Sequence, residues 1–166
     1  LIKSYMKAID ETITLTSEEE RVLHDYLFSV EIWGLYELSF FSFCSPLLSV
    51  QLLTKYTREM LRKSDFLQGV GKNRNMMHTL LLNGFMACIE VDDFTNALYF
   101  KKQIEKNFFE ENETYFRIVY LWAEGLLDSK QGRVEDGQRK MEDAVRIFEM
   151  IGCSKSADYY RSAIEC

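Results

Sequence analysis

The sequence predicts an all-α protein, a tetratricopeptide-like helical-repeat solenoid of about nine helices. Three observations predict it: apolar residues recur at helical spacing in nearly every stretch, cap and glycine signals separate the stretches, and small residues recur at a long, regular interval. No stretch alternates apolar and polar residues as a convincing strand would.

The opening LIKSYMKAID reads as an amphipathic helix with Ile2, Tyr5, Met6, Ile9 and Ile13 on one side. Thr16 or Ser17 caps the next helix; Ser17 followed by Glu20 fits a capping box, and the Glu18–Glu20 run suits a helix N-terminus. Val22, Leu23, Tyr26, Leu27 and Val30 form its stripe. Gly34 interrupts the pattern before the aromatic helix YELSFFSFC, which must stop at Ser45 because Pro46 disfavours helical geometry in the residue before it. Ser49 caps a helix running to about Phe66, with Leu52, Leu53, Tyr56, Met60 and Leu61 inward.

Gly69 and Gly71 turn into the long helix Lys72–Asp92, and Asp93 caps another that ends near Phe108, with Ala97, Leu98, Phe100, Ile104 and Phe108 inward. Asn112 caps a helix from about Glu113 to Lys130, which Gly132 ends. A helix over Val134–Ile151 stops at Gly152, and Ser154 opens the last one, with Ala157, Tyr160, Ala163 and Ile164. Gly125, Gly137 and Ala144 lie 12 and then 7 residues apart, the small-residue spacing of closely packed helix pairs. Gly84 lies 41 residues before Gly125 and Ser42 lies 42 before Gly84, which gives degenerate helix pairs of about 40 residues. Stacked pairs bury each other's apolar faces and leave one concave surface.

Composition bounds what such a protein can do. With 166 residues, one Pro and eight Gly, the chain is long enough for one well-buried domain and short of linker sequence, so 1–166 reads as a single helical-repeat domain. The net charge of −6 argues against this chain gripping nucleic acid by itself. No uncharged apolar run reaches the roughly 18 residues a membrane helix needs, so no membrane partner is expected. Cys44, Cys88, Cys153 and Cys166 fit neither a zinc spacing nor a compact disulfide framework, and reduced thiols of a cytoplasmic protein are expected. The chain opens without an initiator Met or a signal-peptide layout and reads as a fragment lacking an N-terminal portion.

Catalytic patterns are not found. His24 and His78 are the two histidines, with no HExxH motif. Gly71-Lys72 resembles the end of a phosphate loop, but Phe66 stands where that loop needs Gly, and Asn73 where it needs Ser or Thr. There is no GxSxG elbow and no recognisable cysteine-protease signature. The expectation is no enzyme, no catalytic residue, no cofactor and no metal. Between Lys55 and Arg74, six basic residues outweigh Glu59 and Asp65; a solvated helix face and an anion-attracting surface both account for them.

Polar residues in the apolar Lys72–Asp92 stretch carry the functional signal. Arg74, Asn75, His78 and Asn83 are more than a purely structural helix requires. An Asn inside LLLNGF must find partners if buried, and one amide can bond both N–H and C=O of an extended peptide, or a neighbouring helix terminus. His78 fits a satisfied structural side chain or a ligand contact. Trp33, Tyr36, Phe40, Phe41 and Phe43, and likewise Tyr115, Val119 and Trp122, fit a core or a groove lining.

YELSFFSFC with its following Pro, KNRNMMHTLLLNGF, and above all the tail KMEDAVRIFEMIGCSKSADYY carry a family resemblance. In that tail stand Lys140, Met141, Ala144, Ile147, Phe148, Gly152, Cys153, Ala157 and Tyr160. Over nearly its whole length the chain resembles the C-terminal regulatory domain of Rgg/MutR/GadR-type transcriptional regulators of Gram-positive bacteria. The resemblance implies a helical-repeat domain and homodimerisation. It implies a helix-turn-helix DNA-binding domain N-terminal to residue 1, absent from this chain, through which alone DNA would be met. It implies, as in many relatives, a short hydrophobic signalling peptide, a quorum-sensing pheromone, on the concave face.

The residue pattern is compatible with this. If Gly84 and Gly125 mark faces packed on following helices, then Tyr36, Arg74, His78, Leu81, Phe85, Tyr115, Val119 and Trp122 look along one groove, with Asn83 near its edge. The peptide-binding candidates are thus Tyr36, Arg74, His78, Asn83, Phe85, Tyr115, Val119 and Trp122. Arg74 would receive a carboxylate, Asn83 backbone amides, and the aromatics apolar side chains. The alternative is a helical-repeat scaffold that binds a protein partner with no small peptide ligand, which would require no helix-turn-helix upstream.

Overall fold

A computed structural model describes residues 2–7, 9–10, 12–63, 71–107 and 110–164. These residues form nine α-helices and one 3-10 turn, with no strand among them. The helices are α1 (Ile2–Lys7), α2 (Ser17–Ser29), α3 (Leu35–Cys44), α4 (Val50–Lys63), α5 (Gly71–Glu90), α6 (Phe94–Asn107), α7 (Thr114–Lys130), α8 (Val134–Met150) and α9 (Ser154–Ser162); the 3-10 turn is Ser45–Leu47. They pack as two compact units, Leu1–Gly84 and Phe85–Cys166, divided within α5. The fold is all-α, as the periodicity predicts.

The first unit is held by rings and one hydroxyl. Trp33 and Phe41 meet edge to face at 5.4 Å, and Phe41 and Tyr56 at 6.3 Å; all three are buried. The Tyr56 hydroxyl donates to the His24 carbonyl of α2 at 3.1 Å, so one α4 side chain contacts both α2 and α3. Lys63, also on α4, donates to the Val30 carbonyl at 2.7 Å and pairs with Glu59 at 3.0 Å. A cation thus caps the C-terminus of α2.

Boundaries differ from the sequence reading at several ends, each for a local reason. α1 stops at Lys7 rather than carrying Ile9 and Ile13, because Asp10 accepts from the backbone N–H and hydroxyl of Thr12 at 2.9 and 2.7 Å in a turn. The capping box of α2 is Thr16 with Glu19, one residue before the Ser17–Glu20 pair that satisfies the same spacing. α3 ends at Cys44 and the chain tightens into the 3-10 turn with Pro46 near its start. Ser49 and Asp93 cap α4 and α6 as expected, accepting from the Leu52 and Asn96 N–H groups. Glu113, not Asn112, precedes α7, and it makes no side-chain cap. Gly69, Phe66 and Phe108 lie outside the described residues.

The second unit is regular. α6, α7, α8 and α9 begin at residues 94, 114, 134 and 154, one helix every 20 residues, so the pair period of about 40 is two such steps. Three of the turns share one geometry. Asp92, Gly132 and Gly152 take φ of 58°, 88° and 77°. After them, the N–H groups of Asp93, Arg133 and Cys153 donate to the carbonyls of Cys88, Asp128 and Phe148 at 2.8, 2.9 and 2.8 Å. Asp128 then joins α7 to α8, accepting from Lys140 at 2.7 Å and from Arg133. Burial pushes its carboxyl up, but these two donors outweigh that and hold it below the ordinary carboxylate value.

Candidate functional site

Of the eight candidate residues, Tyr36, Arg74, His78 and Asn83 belong to the first unit and Phe85, Tyr115, Val119 and Trp122 to the second, and their exposure differs widely. On α5, Arg74, His78, Leu81 and Phe85 follow the i, i+4, i+7, i+11 stripe, so the expected common face exists. Beyond Arg74, which is half-buried, that face is core: His78 is 2% exposed and Leu81 and Phe85 are fully buried. The Phe85 ring lies 6.1 Å from that of Tyr120, within the core of the second unit. Asn83 stands about 180° around the helix from Arg74, at roughly 100° per residue, and not at the edge of the Arg74 stripe. It is half-buried and shares its side of α5 with Thr79 and the exposed Asn75 and Glu90. The Thr79 hydroxyl is returned to the Asn75 carbonyl at 2.9 Å.

On α7, Tyr115, Val119 and Trp122 also share a stripe, and it too is mostly core. Tyr115 is 49% exposed, whereas Val119 and Trp122 are buried. Rings from three helices close over this stripe. Tyr115 lies 5.7 Å from Phe148 of α8, Phe148 stacks on Tyr160 of α9 at 5.6 Å, and Trp122 lies 5.3 Å from Tyr160. Burial first, and then the neighbouring Tyr115, raises the Tyr160 phenol above its usual range. The Trp122 indole N–H is buried and meets no acceptor among the described residues. Val119 and Trp122 therefore tie the second unit together rather than line an open surface.

Tyr36 is different. It is 68% exposed on α3 and lines a cavity of ≈ 830 Å³ inside the first unit. The cavity lies between α1, α2 and α3. Its α2 wall includes Glu18, Glu19, Val22 and Tyr26 and its α3 wall Tyr36, Phe40 and Cys44. Phe40 sits between two phenols, 4.7 Å from the Tyr26 ring and 6.5 Å from that of Tyr36. In the sequence the lining residues Ile2, Val22 and Tyr26 read as helix stripes and Phe40, like Tyr36, as core or groove lining, while Leu47, which also lines the cavity, carries no signal of its own.

A second polar grouping escaped sequence reading. In the second unit, Lys101 pairs with Glu124 at 2.5 Å, and the Tyr120 hydroxyl donates to Glu105 at 3.1 Å. Burial and the two carboxylates raise the Tyr120 phenol strongly. This cluster bridges α6 and α7. The basic Lys55–Arg74 stretch is partly engaged within the fold: Lys55 sits over the Phe28 and Tyr56 rings at 5.9 and 5.6 Å, and Arg62 and Lys63 share Glu59. Cys44 and Cys88 are buried and Cys153 is exposed, and no group of side chains able to hold a metal ion occurs among the described residues. No helix there is long and apolar enough to cross a membrane.

Comparison with known proteins agrees with the architecture. Residues 1–162 match the family described as HTH-type transcriptional regulator Rgg, C-terminal domain. The chain is similar to the SHP pheromone receptor Rgg2 of Streptococcus dysgalactiae. The structure of its C45S form matches with a TM-score of 0.85 and 29% identity, over 99% of this chain and 60% of that one. A further Rgg2 structure matches with a TM-score of 0.82 and 28% identity, over 99% of this chain and 63% of the other. A Listeria monocytogenes EGD-e protein, described as a candidate transcriptional regulator, shares the fold with a TM-score of 0.79 and 21% identity, over 91% of this chain and 52% of that one. The chain thus spans less than two thirds of the length of these solved relatives, and it belongs to the family of C-terminal domains of the HTH-type transcriptional regulator Rgg.

Proposed function

We propose that the protein is the regulatory part of a DNA-binding transcription regulator, that it takes a short hydrophobic signalling peptide, and that it pairs with a second copy of itself. The observation that supports this best is the likeness to the Rgg2 pheromone receptor over 99% of the chain. DNA contact falls to a helix-turn-helix domain elsewhere on the polypeptide, since a net charge of −6 suits phosphate contacts poorly. Peptide and promoter would meet in the cytoplasm. On α5, a peptide lying along one side of the helix meets Asn83 or Arg74, not both, because the two point in opposite directions.

Calorimetry tests the reading. Short synthetic peptides rich in Ile, Leu, Val and Trp are titrated into the protein, with charge-rich peptides of equal length as the control. Saturable binding of the apolar peptides alone supports the reading; no binding of any overturns it.

A further inference from the structure

We infer that the outer side of α2 and α4, centred on Phe28 and Lys55, docks an acidic segment of a partner protein: a carboxylate meets the Lys55 ammonium, and a neighbouring apolar side chain lies against the Phe28 ring. This surface is separate from the cavity between α1, α2 and α3. Phe28 comes two residues after Tyr26, which lines that cavity, and so points roughly 200° around the helix from it.

A ring held in place yet left in water is the first observation. Phe28 is 70% exposed. The His24 imidazole stacks on it at 6.2 Å with the planes 9° apart, and the Lys55 Nζ lies 5.9 Å from its centroid. Lys55 also lies 5.6 Å from the Tyr56 ring, whose hydroxyl donates to the His24 carbonyl at 3.1 Å. The three neighbours preorganise an aromatic face that stays largely in water, and such a ring loses little entropy when a partner covers it. Ile32, in the turn that follows α2, is 65% exposed as well.

Charge selects the partner. Lys55 is exposed, and its partners among the described residues are the two rings, with no carboxylate. Glu59, one turn further along α4, pairs instead with Arg62 at 2.7 Å and Lys63 at 3.0 Å. Asp25 of α2 lies 3.8 Å from Arg21 and 3.6 Å from the His24 Nδ1. The Lys55 ammonium is thus left for an external anion, and a cation set against a ring suits a carboxylate that stands beside an apolar side chain. A run of phosphates or an anionic lipid surface fits less well. Asp25, next to His24, and Glu59, one turn from Lys55, repel an extended polyanion more than they repel a single carboxylate.

The test titrates a short synthetic peptide that alternates Asp or Glu with Leu and Phe, beside the same peptide carrying Asn and Gln in place of the acids. The proteins are the parent, Phe28→Ser, Lys55→Gln and Lys55→Arg, with Lys155→Gln on exposed α9 surface as a remote loss of charge. Circular dichroism follows unfolding. The expected result is saturable binding of the acidic peptide, about 10-fold tighter than the amide form, with a loss of about 5-fold or more in Phe28→Ser and in Lys55→Gln. Lys55→Arg and Lys155→Gln should bind as the parent, since an arginine keeps both the charge and the ring contact. Lys55→Gln against Lys55→Arg decides the matter even if Phe28→Ser fails to fold. No binding of the acidic peptide, or equal affinity for its amide form, overturns the proposal. So does parental affinity in both Phe28→Ser and Lys55→Gln, which would place the binding elsewhere. Tighter binding of a single-stranded oligonucleotide or of phosphatidylglycerol vesicles, weakened by the same two variants, would make the surface a polyanion site and likewise overturn it.

Discussion

Gly125 of α7 and Gly137 of α8 face each other so closely that a Cβ on Gly125 would lie 2.6 Å from the Gly137 carbonyl oxygen, and one on Gly137 would lie 2.5 Å from that of Gly125. Side chains of Met141 and Ser129 crowd the same two positions, but the two carbonyls are backbone and cannot swing aside. Gly125→Ala would gain helix propensity and still force the two helices apart, for a net loss of about 1–3 kcal/mol. Once the helices are separated, the second alanine meets less resistance, so Gly125→Ala/Gly137→Ala should cost less than the two single losses together. Urea denaturation of the three variants measures this. Strict additivity would show that the glycines do not share one contact.

Asp92 occupies the left-handed position that Gly132 and Gly152 fill in the equivalent turns. A side chain is disfavoured there, and Asp tolerates it better than most. Asp92→Gly should stabilise by about 0.5 kcal/mol, and Asp92→Val should destabilise by about 1–2 kcal/mol, because a branched Cβ suits this φ least. The ion pair lost with Asp92, 3.4 Å from Lys130 with both side chains well exposed, contributes little. Thermal melting of the two variants should move in opposite directions.

These two sites also show why the fold is more legible in the sequence than the exposure of the candidate residues. Helix punctuation is local: glycine at 132 and 152, caps at Ser49 and Asp93, and Pro46 each act within a few residues, and the Gly125–Gly137 spacing encodes a contact between adjacent helices. Stripe membership is local too: Arg74, His78 and Phe85 fall on one stripe of α5 by spacing alone. Which side of a stripe stays open is decided by elements distant in sequence. Tyr160 of α9 meets Trp122 and Phe148 of α8 meets Tyr115, whereas nothing among the described residues covers Val22 and Tyr36 to the same degree. Asn83 was misplaced for a simpler reason: nine residues along a helix is a half-turn out of phase.

Glu19 links the N-terminal segment to pH. Its carboxylate accepts from Lys3 and from the Thr16 N–H and hydroxyl, and these hydrogen bonds, Lys3 foremost, lower its pKa from 4.5 to about 2. A depressed folded-state pKa contributes stability above the unfolded value, and that contribution is lost as pH falls from about 4.5 towards 2. Glu19→Gln keeps a capping amide and removes the charge. The variant should melt below the parent at pH 7, and the gap should narrow as pH falls to 3. A constant gap would show that the carboxylate's charge plays no part.

Lys63 tests whether α2 and α4 are joined by one ammonium. Its Nζ donates to the Val30 carbonyl at the C-cap of α2 and lies 3.0 Å from Glu59, with the side chain 22% exposed. Lys63→Met keeps most of the apolar stem and removes the cap, leaving the carbonyl without its charged donor; a loss of about 1–2 kcal/mol is expected. Glu59, held down to about 2 first by Arg62 and then by Lys63, keeps its main partner in the variant. Glu59→Gln alone should therefore cost less than Lys63→Met, and the double variant little more than Lys63→Met. Hydrogen exchange locates the effect: in Lys63→Met, protection should fall in the last turn of α2. Equal loss of protection across the unit would point instead to a general packing defect at position 63.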